Sequence, residues 1–279
     1  MTNMSGMFKN CWELRSLDLS HFNTSNVTNM REMFSDCSSL RSLNLGNFNT
    51  GNVTNMYRMF HDCFALTSLD LSNFNTSSVQ TMDDMFNYCR GLTSLNLSNW
   101  TNDNTTSMKN MFNNCENLTS LNLSGFKTDN VADMQNMFGS CKSLTSLDLS
   151  SFKTDNVTRM DMMFQVCSKL TTIYVSELWS TTGITYQGFG QSMFFNCTSI
   201  VGGQGTIYDS YHTDHTYARI DGGADAPGYF TYKNPSGVKA VTKDNGEAKP
   251  ASVYNLHGQR LSAPQRGINI VDGRKVVFK

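Results

Sequence analysis

The apolar residues of this chain recur with a fixed step of 26 positions. Seven cysteines stand 26 residues apart from Cys11 to Cys167, and the eighth, Cys197, follows after a gap of 30. A Met-Phe pair keeps the same step from Met7 to Met163. Self-similarity at such a period is typical of a solenoid, in which each unit leaves an apolar face that only its neighbours cover.

One unit, residues 27–52, combines two periodicities. Apolar residues at three- and four-residue steps between Val27 and Cys37 predict a short helix of about ten residues with one buried side. Asn26 and its equivalents precede this stripe, and we expect their side chains to cap the helix. An L-x-x-L-x-L pattern then begins at Leu40 and predicts one short strand per unit.

These elements predict an α/β repeat solenoid. We expect a leucine-rich-repeat-like, right-handed stack with one parallel β-sheet and short helices on the opposite side. Phe48 and its equivalents are expected to turn inward, which gives a core of Leu, Met, Phe and Cys ladders. The cysteines are predicted to be buried free thiols, because neighbouring helices lie about 8–10 Å apart and Cys is among the most buried residue types. No CxxC pair is present, so no metal or other cofactor is predicted.

Four segments are predicted along the chain. Residues 1–200 form the solenoid of 26-residue units, and the pattern decays towards its end. Residues 201–232, rich in Gly and Tyr, form a C-terminal capping element, and residues 233–250, polar with two prolines, form a linker. Residues 251–279 contain alternating segments and predict a short β-rich tail. Met1 aligns with a valine of the later units, so we expect the natural protein to extend upstream.

The repeat motif resembles a known family. The pattern MFxxCxxLxSLdLSxFxTsnVTnM is similar to the BspA-like, 26-residue leucine-rich repeats of bacterial surface proteins over about residues 1–200. The last 29 residues, ASVYNLHGQRLSAPQRGINIVDGRKVVFK, resemble the C-terminal sorting tails of type IX secretion substrates. These resemblances imply a secreted or bacterial cell-surface protein that binds or adheres and is not an enzyme. The implied partner is a host or neighbouring-cell surface protein, an extracellular-matrix protein or a glycan.

Net charge and hydropathy bear on two further kinds of partner, nucleic acid and the lipid bilayer. The chain has 22 Lys and Arg against 23 Asp and Glu, a formal net charge of -1, which provides no electrostatic footprint for nucleic acid or anionic lipid. No apolar run approaches the roughly 20 residues that a transmembrane helix needs. We therefore expect neither a nucleic-acid partner nor a transmembrane segment.

Two columns of the repeat vary from unit to unit and are free to specify a partner. They begin at Lys9 and Trp12, and aromatic residues of the type expected on the surface stand in or beside them near the N-terminal half. Aromatic side chains dominate interface hot spots. The alternative is that single surface aromatics are common and fold back onto the core. The candidate binding residues are Trp12, Tyr57, His61, Phe64 and Tyr88.

Two alternatives to a binding protein remain open. The chain is either a structural spacer that displays another domain, or it carries a metal or hydrolase site in the cap, residues 205–225. Asp209, His212, Asp214 and His215 form the local His/Asp cluster there, without a third nearby His or an accompanying nucleophile. No catalytic residue is predicted.

Overall fold

The computed structural model describes residues 1–185, 187–234, 253–254, 260–261, 267–271 and 274–278. It divides into two compact units, Met1–Lys233 and Asn234–Lys279. In the first unit the chain forms a parallel β-solenoid, in which each repeat makes one coil stacked on the next.

The strands of the solenoid are short and pair in parallel. The bounds are β1 Ser16–Asp18, β2 Ser42–Asn44, β3 Ser94–Asn96, β4 Ser120–Asn122, β5 Ser146–Asp148, β6 Thr172–Val175 and β7 Phe230–Tyr232. The central leucine of β3 and β5 is buried and that of β1, β2 and β4 is half-buried, between polar residues that are exposed or half-exposed. The strands pair as β1 with β2, β3 with β4, and β6 with both β5 and β7.

The predicted parallel pairing of the strands is confirmed, but the prediction of one continuous sheet is wrong. The described solenoid has three short sheets, because residues 68–70 form no strand and β4 does not pair with β5. The rings that follow the strands stack more loosely than those of the opposite side: the Phe48 and Phe74 ring centroids are 6.4 Å apart, against 5.6 Å for Phe8 and Phe34.

The predicted helices on the opposite side are wrong. Among the described residues no α-helix is present, and residues 30–37 form consecutive tight turns, a segment that we call the turn ladder together with its equivalents. The Phe34 amide donates to the Met59 carbonyl of the next coil at 2.9 Å, whereas the Cys37 amide donates to the Phe34 carbonyl at 3.2 Å. Glu32 has a φ of 55°. An α-helix instead directs every amide to the carbonyl four residues earlier at negative φ.

The turn ladder is the continuous side of the stack. Parallel bridges run without a break from Asn3 through every coil to Arg159. The asparagines expected to cap helices hold the coils together instead: Asn52 Nδ2 donates to the Ser25 carbonyl of the preceding coil at 2.8 Å. The turn ladder therefore sets the coil spacing that the interrupted sheets do not.

Side-chain ladders fill the interior. Met, Phe, Cys and Leu from successive coils are buried, and the Phe8 to Phe194 rings stack at centroid distances of 5.5–5.7 Å. All eight cysteines are free, as predicted, but helix separation is not the reason. Each thiol of the interior coils donates to a phenylalanine carbonyl of the preceding coil, as Cys63 Sγ does to Phe34 O at 3.2 Å. Burial raises the pKa of the Cys89 thiol to about 12.

A second ladder inside the solenoid is polar and consists of buried threonine side chains. The Thr50 hydroxyl donates to the Asn75 carbonyl at 2.9 Å and accepts from the Asn75 amide at 2.8 Å. Because the hydroxyl satisfies both groups of the next coil, it can be buried without cost to hydrogen bonding. The buried threonines of this ladder are Thr24, Thr50, Thr76, Thr128 and Thr154.

The chain after the last repeat closes the solenoid. It contains the 3-10 helices His215–Tyr217 and Gly223–Asp225 and returns as β7 beside β6, whereas a further 3-10 helix, Gln187–Gly190, precedes the last Met-Phe pair. Buried Tyr229 and Phe230 lie against Phe194, with ring centroids 5.0 and 5.8 Å from it.

The second unit is a small antiparallel sheet of order β11-β10-β8-β9. Apart from residues 233 and 234, the predicted linker 233–250 lies outside the described residues. In the described part of the chain no helix has the length and hydropathy to cross a bilayer. The strands of this unit are β8 Val253–Tyr254, β9 Arg260–Leu261, β10 Gly267–Val271 and β11 Arg274–Phe278.

Candidate functional site

Outward residues of the turn ladder, together with the residues that directly follow it, form a cleft between two coils. It has a volume of about 410 Å³ and is lined by His61, Asp62, Phe64, Tyr88 and Arg90, which we call the aromatic cleft. The 26-residue step brings these residues together, because each coil lies directly against the next. Three of the five candidate binding residues therefore share one cleft.

The rings of the cleft are held in place by neighbouring side chains. His61 and Tyr88 meet edge to face with centroids 5.9 Å apart, and the Arg90 guanidinium lies 5.3 Å from the Tyr88 ring centroid. Arg90 is also 3.6 Å from a carboxylate oxygen of Glu116 in the following coil. Phe64 has no such cover, and 49% of it is exposed. The cleft thus presents the exposed apolar ring of Phe64 beside the polar rings of His61 and Tyr88, which neighbouring side chains hold in place.

Burial shifts the pKa values of two ionisable side chains of the cleft, His61 and Asp62. Burial lowers the pKa of His61, and the nearby Arg58 charge lowers it further, although Asp36 Oδ1 lies 3.8 Å from His61 Nδ1 and acts in the opposite direction. Burial likewise raises the pKa of the Asp62 carboxyl. Burial in the cleft therefore disfavours the charged forms of His61 and Asp62.

The other two candidates lie outside the aromatic cleft. The Tyr57 ring is covered by the guanidinium groups of Arg31 and Arg58, at 4.4 and 5.2 Å from its centroid. Trp12 is 61% exposed and occupies the same column as Phe64, two coils earlier. Sequence reasoning did not select Asp62 and Arg90. Arg90 was detectable, because it stands in the variable column of Trp12.

The strand face uses its carboxylates and amides for local structure. Asp70 Oδ1 accepts the Ser72 amide at 3.0 Å, and Asn96 Oδ1 accepts the Ser98 amide at 3.2 Å. Equivalent bonds end the strand in the other coils, so these side chains serve first as turn formers.

The His/Asp cluster of the cap is likewise engaged in structure. Asp214 Oδ1 accepts the Thr216 amide at 2.8 Å and caps a 3-10 helix. His215 packs so closely on Gly190 that an added Cβ would lie 2.1 Å from His215 Nδ1. Asp209 and His212 approach to 3.8 Å. Among the described residues, no group of three or more His, Cys, Asp or Glu side chains is placed to hold a metal ion.

Fold and surface together define a solenoid repeat protein of the leucine-rich type, with variable residues displayed outside a constant core. A family model matches residues 2–120 and 92–204, and its description is "Mycoplasma protein of unknown function, DUF285". The chain belongs to this family of BspA-like repeats. The resemblance found in the repeat motif is thereby confirmed, whereas that of the tail to sorting signals stays a prediction.

Solved structures include a similar protein. It is a leucine-rich repeat protein from Bacteroides ovatus ATCC 8483, 14% identical, with a TM-score of 0.29 over 72% of this chain and 70% of that one. Comparison with curated proteins finds no match.

Proposed function

We propose that this protein is a non-enzymatic binding module, secreted or displayed at the bacterial cell surface. Its aromatic cleft contacts a host or neighbouring-cell surface protein or an extracellular-matrix protein. The observation that carries this proposal is the convergence of His61, Phe64 and Tyr88 in one cleft on the variable face. Membership of a repeat family that is typically non-enzymatic supports it as well.

The cleft has the physical properties of an interface hot spot. Phe64 offers an exposed aromatic surface, and its neighbours are already ordered by ring and ion-pair contacts. Ordered side chains lose less conformational entropy on binding, so more of the contact energy appears as affinity. Beneath them the turn ladder bonds every coil to the next, which keeps the spacing of the cleft residues constant.

Binding of the full chain to an array of extracellular-matrix proteins tests this function. We expect saturable binding that Phe64→Ala weakens by about tenfold or more, the effect typical of a hot-spot residue. Phe195→Ala is the matched control, since Phe195 is 48% exposed and lies outside the cleft. Both variants should keep the urea midpoint of the parent.

Two results would overturn the proposal. Absence of saturable binding by folded protein favours the spacer alternative. Binding that Phe64→Ala and Phe195→Ala leave equally strong moves the contact surface away from the aromatic cleft.

A further inference from the structure

The cap contains a second concave site, which is separate from the aromatic cleft. It has a volume of about 710 Å³, within the range of pockets that bind small ligands. We call it the cap pocket. Its walls include Gln204, Ile207, Tyr208, Asp209 and Ala224.

One buried carboxylate holds two walls of the cap pocket together. Asp221, 4% exposed, accepts the backbone amides of Gln204, Thr206 and Gly223 at 2.8, 3.0 and 2.9 Å. It also accepts the Thr206 hydroxyl at 2.7 Å. Burial alone would raise the pKa of Asp221, but these bonds outweigh it and lower the pKa to about 2. The loops that it joins are therefore fixed before any ligand arrives.

The aromatic rings of the cap pocket are fixed in the same way. His212 stacks on Tyr217 with centroids 4.3 Å apart, and Tyr229 lies 5.0 Å from Tyr217 on the core side. The Tyr208 hydroxyl accepts the Asn196 amide at 3.3 Å. Two pocket-lining tyrosines are thus pre-organised, which lowers the entropic cost of stacking a ligand on them.

The chemistry of the walls indicates the class of ligand. The lining contains no Lys or Arg, and its one carboxylate, Asp209, already accepts the Tyr211 amide at 2.9 Å. The lining also contains exposed Ile207, two tyrosine rings, the amide of Gln204 and the hydroxyl of Ser210. Rings together with amide and hydroxyl groups match a ligand with apolar C–H faces and many hydroxyls, whereas an anion would find no cationic side chain among the lining residues. We propose that the cap pocket binds a neutral saccharide.

Calorimetric titration of the full chain with mannotriose, maltotriose, cellotriose and chitotriose tests this site. We expect saturable binding of at least one of them. Ala224→Trp, at an exposed pocket position, should abolish binding by filling the space, and Gln204→Ala should weaken it by about tenfold through loss of one hydrogen bond. Ala132→Trp, at an exposed position on the solenoid, is the matched control and should bind like the parent.

The outcomes separate this site from the aromatic cleft. Phe64→Ala should leave saccharide binding unchanged, so that failure at one site does not imply failure at the other. The proposal is overturned if none of the four sugars binds, or if Ala224→Trp binds as tightly as the parent. If Ala224→Trp lowers the melting temperature, Gln204→Ala decides alone, and unchanged affinity in that variant overturns the proposal.

Discussion

Replacing Thr50 by valine tests whether the buried threonine ladder joins neighbouring coils. Valine keeps the shape of the side chain but removes the hydroxyl that both donates to and accepts from Asn75. Each bond contributes about 0.5–1.5 kcal/mol net, so loss of both should cost about 1–3 kcal/mol. The burial of Thr50, at 0% exposure, limits replacement of these bonds by water.

Two matched variants separate the hydroxyl from other effects. Thr50→Ser keeps both hydrogen bonds and loses one methyl group, which should cost about 0.5–1.5 kcal/mol. Thr28→Val, in the same coil, removes an exposed hydroxyl whose bond to the Thr2 carbonyl is 3.3 Å long, and it should cost less than about 0.5 kcal/mol.

Urea unfolding followed by circular dichroism and by tryptophan fluorescence measures these differences. Coincident transitions by the two probes check that the stack unfolds cooperatively, which repeat proteins do not always do. The reasoning would be refuted if Thr50→Val were as stable as the parent, or if Thr28→Val lost as much stability.

The remaining predictions concern the turn ladder, the cap and the thiols. Val166 is β-branched yet has a φ of 61°, so Val166→Asn should stabilise the protein by about 1 kcal/mol in urea unfolding, and a loss of stability would argue against the left-handed turn. Because the folded pKa of Asp221, about 2, lies below its ordinary value of 3.8, the carboxylate should contribute about 2 kcal/mol above pH 4 and lose it as the pH falls towards 2. Hydrogen exchange at residues 204–226 should show this loss in the parent and not in Asp221→Asn, and identical pH profiles would contradict it. In the folded protein the partly exposed Cys11 should react first with a thiol reagent, while the seven buried thiols react only on unfolding; simultaneous reaction of all eight would be inconsistent with the buried ladder.

The sequence was sufficient to predict the stack and most of its interior. A 26-residue step in Cys, Met and Phe has one simple explanation, which is that equivalent residues of successive coils lie against each other. The L-x-x-L-x-L rule then placed the strands, since leucines at alternate positions must share the buried face. The structure confirms the stack in every coil, and it confirms the strands in the described coils except at residues 68–70.

The helices could not be excluded by the same reasoning. Met33, Phe34 and Cys37 are spaced as on a buried helical stripe, but consecutive tight turns also bring such positions inward. A second signal was present in the outward columns, where Asn10 and Asn114 are residues that tolerate positive φ. Helices were expected to lie about 8–10 Å apart, whereas the Phe rings of the turn ladder stack at 5.5–5.7 Å.

The sequence predicts which columns of the repeat carry the candidate site, but it does not predict which of their side chains touch each other. His61 and Tyr88 are 27 residues apart, so a 26-residue coil places them on adjacent coils. The covering of Tyr57 by Arg31 and Arg58 depends on side-chain orientation, which the repeat does not determine. Periodicity therefore locates a variable surface, and only the structure separates its exposed rings from its covered ones.

Trans-hydrogen-bond scalar couplings in the folded protein test the turn ladder most directly. The Phe60 amide donates to the Met85 carbonyl of the next coil at 3.0 Å. A coupling between the Phe60 nitrogen and the Met85 carbonyl carbon is the predicted result, and it would establish the coil-to-coil bonding on which the aromatic cleft depends. A coupling from Phe60 to the carbonyl carbon of Met56, four residues earlier, would indicate a helix and contradict this account.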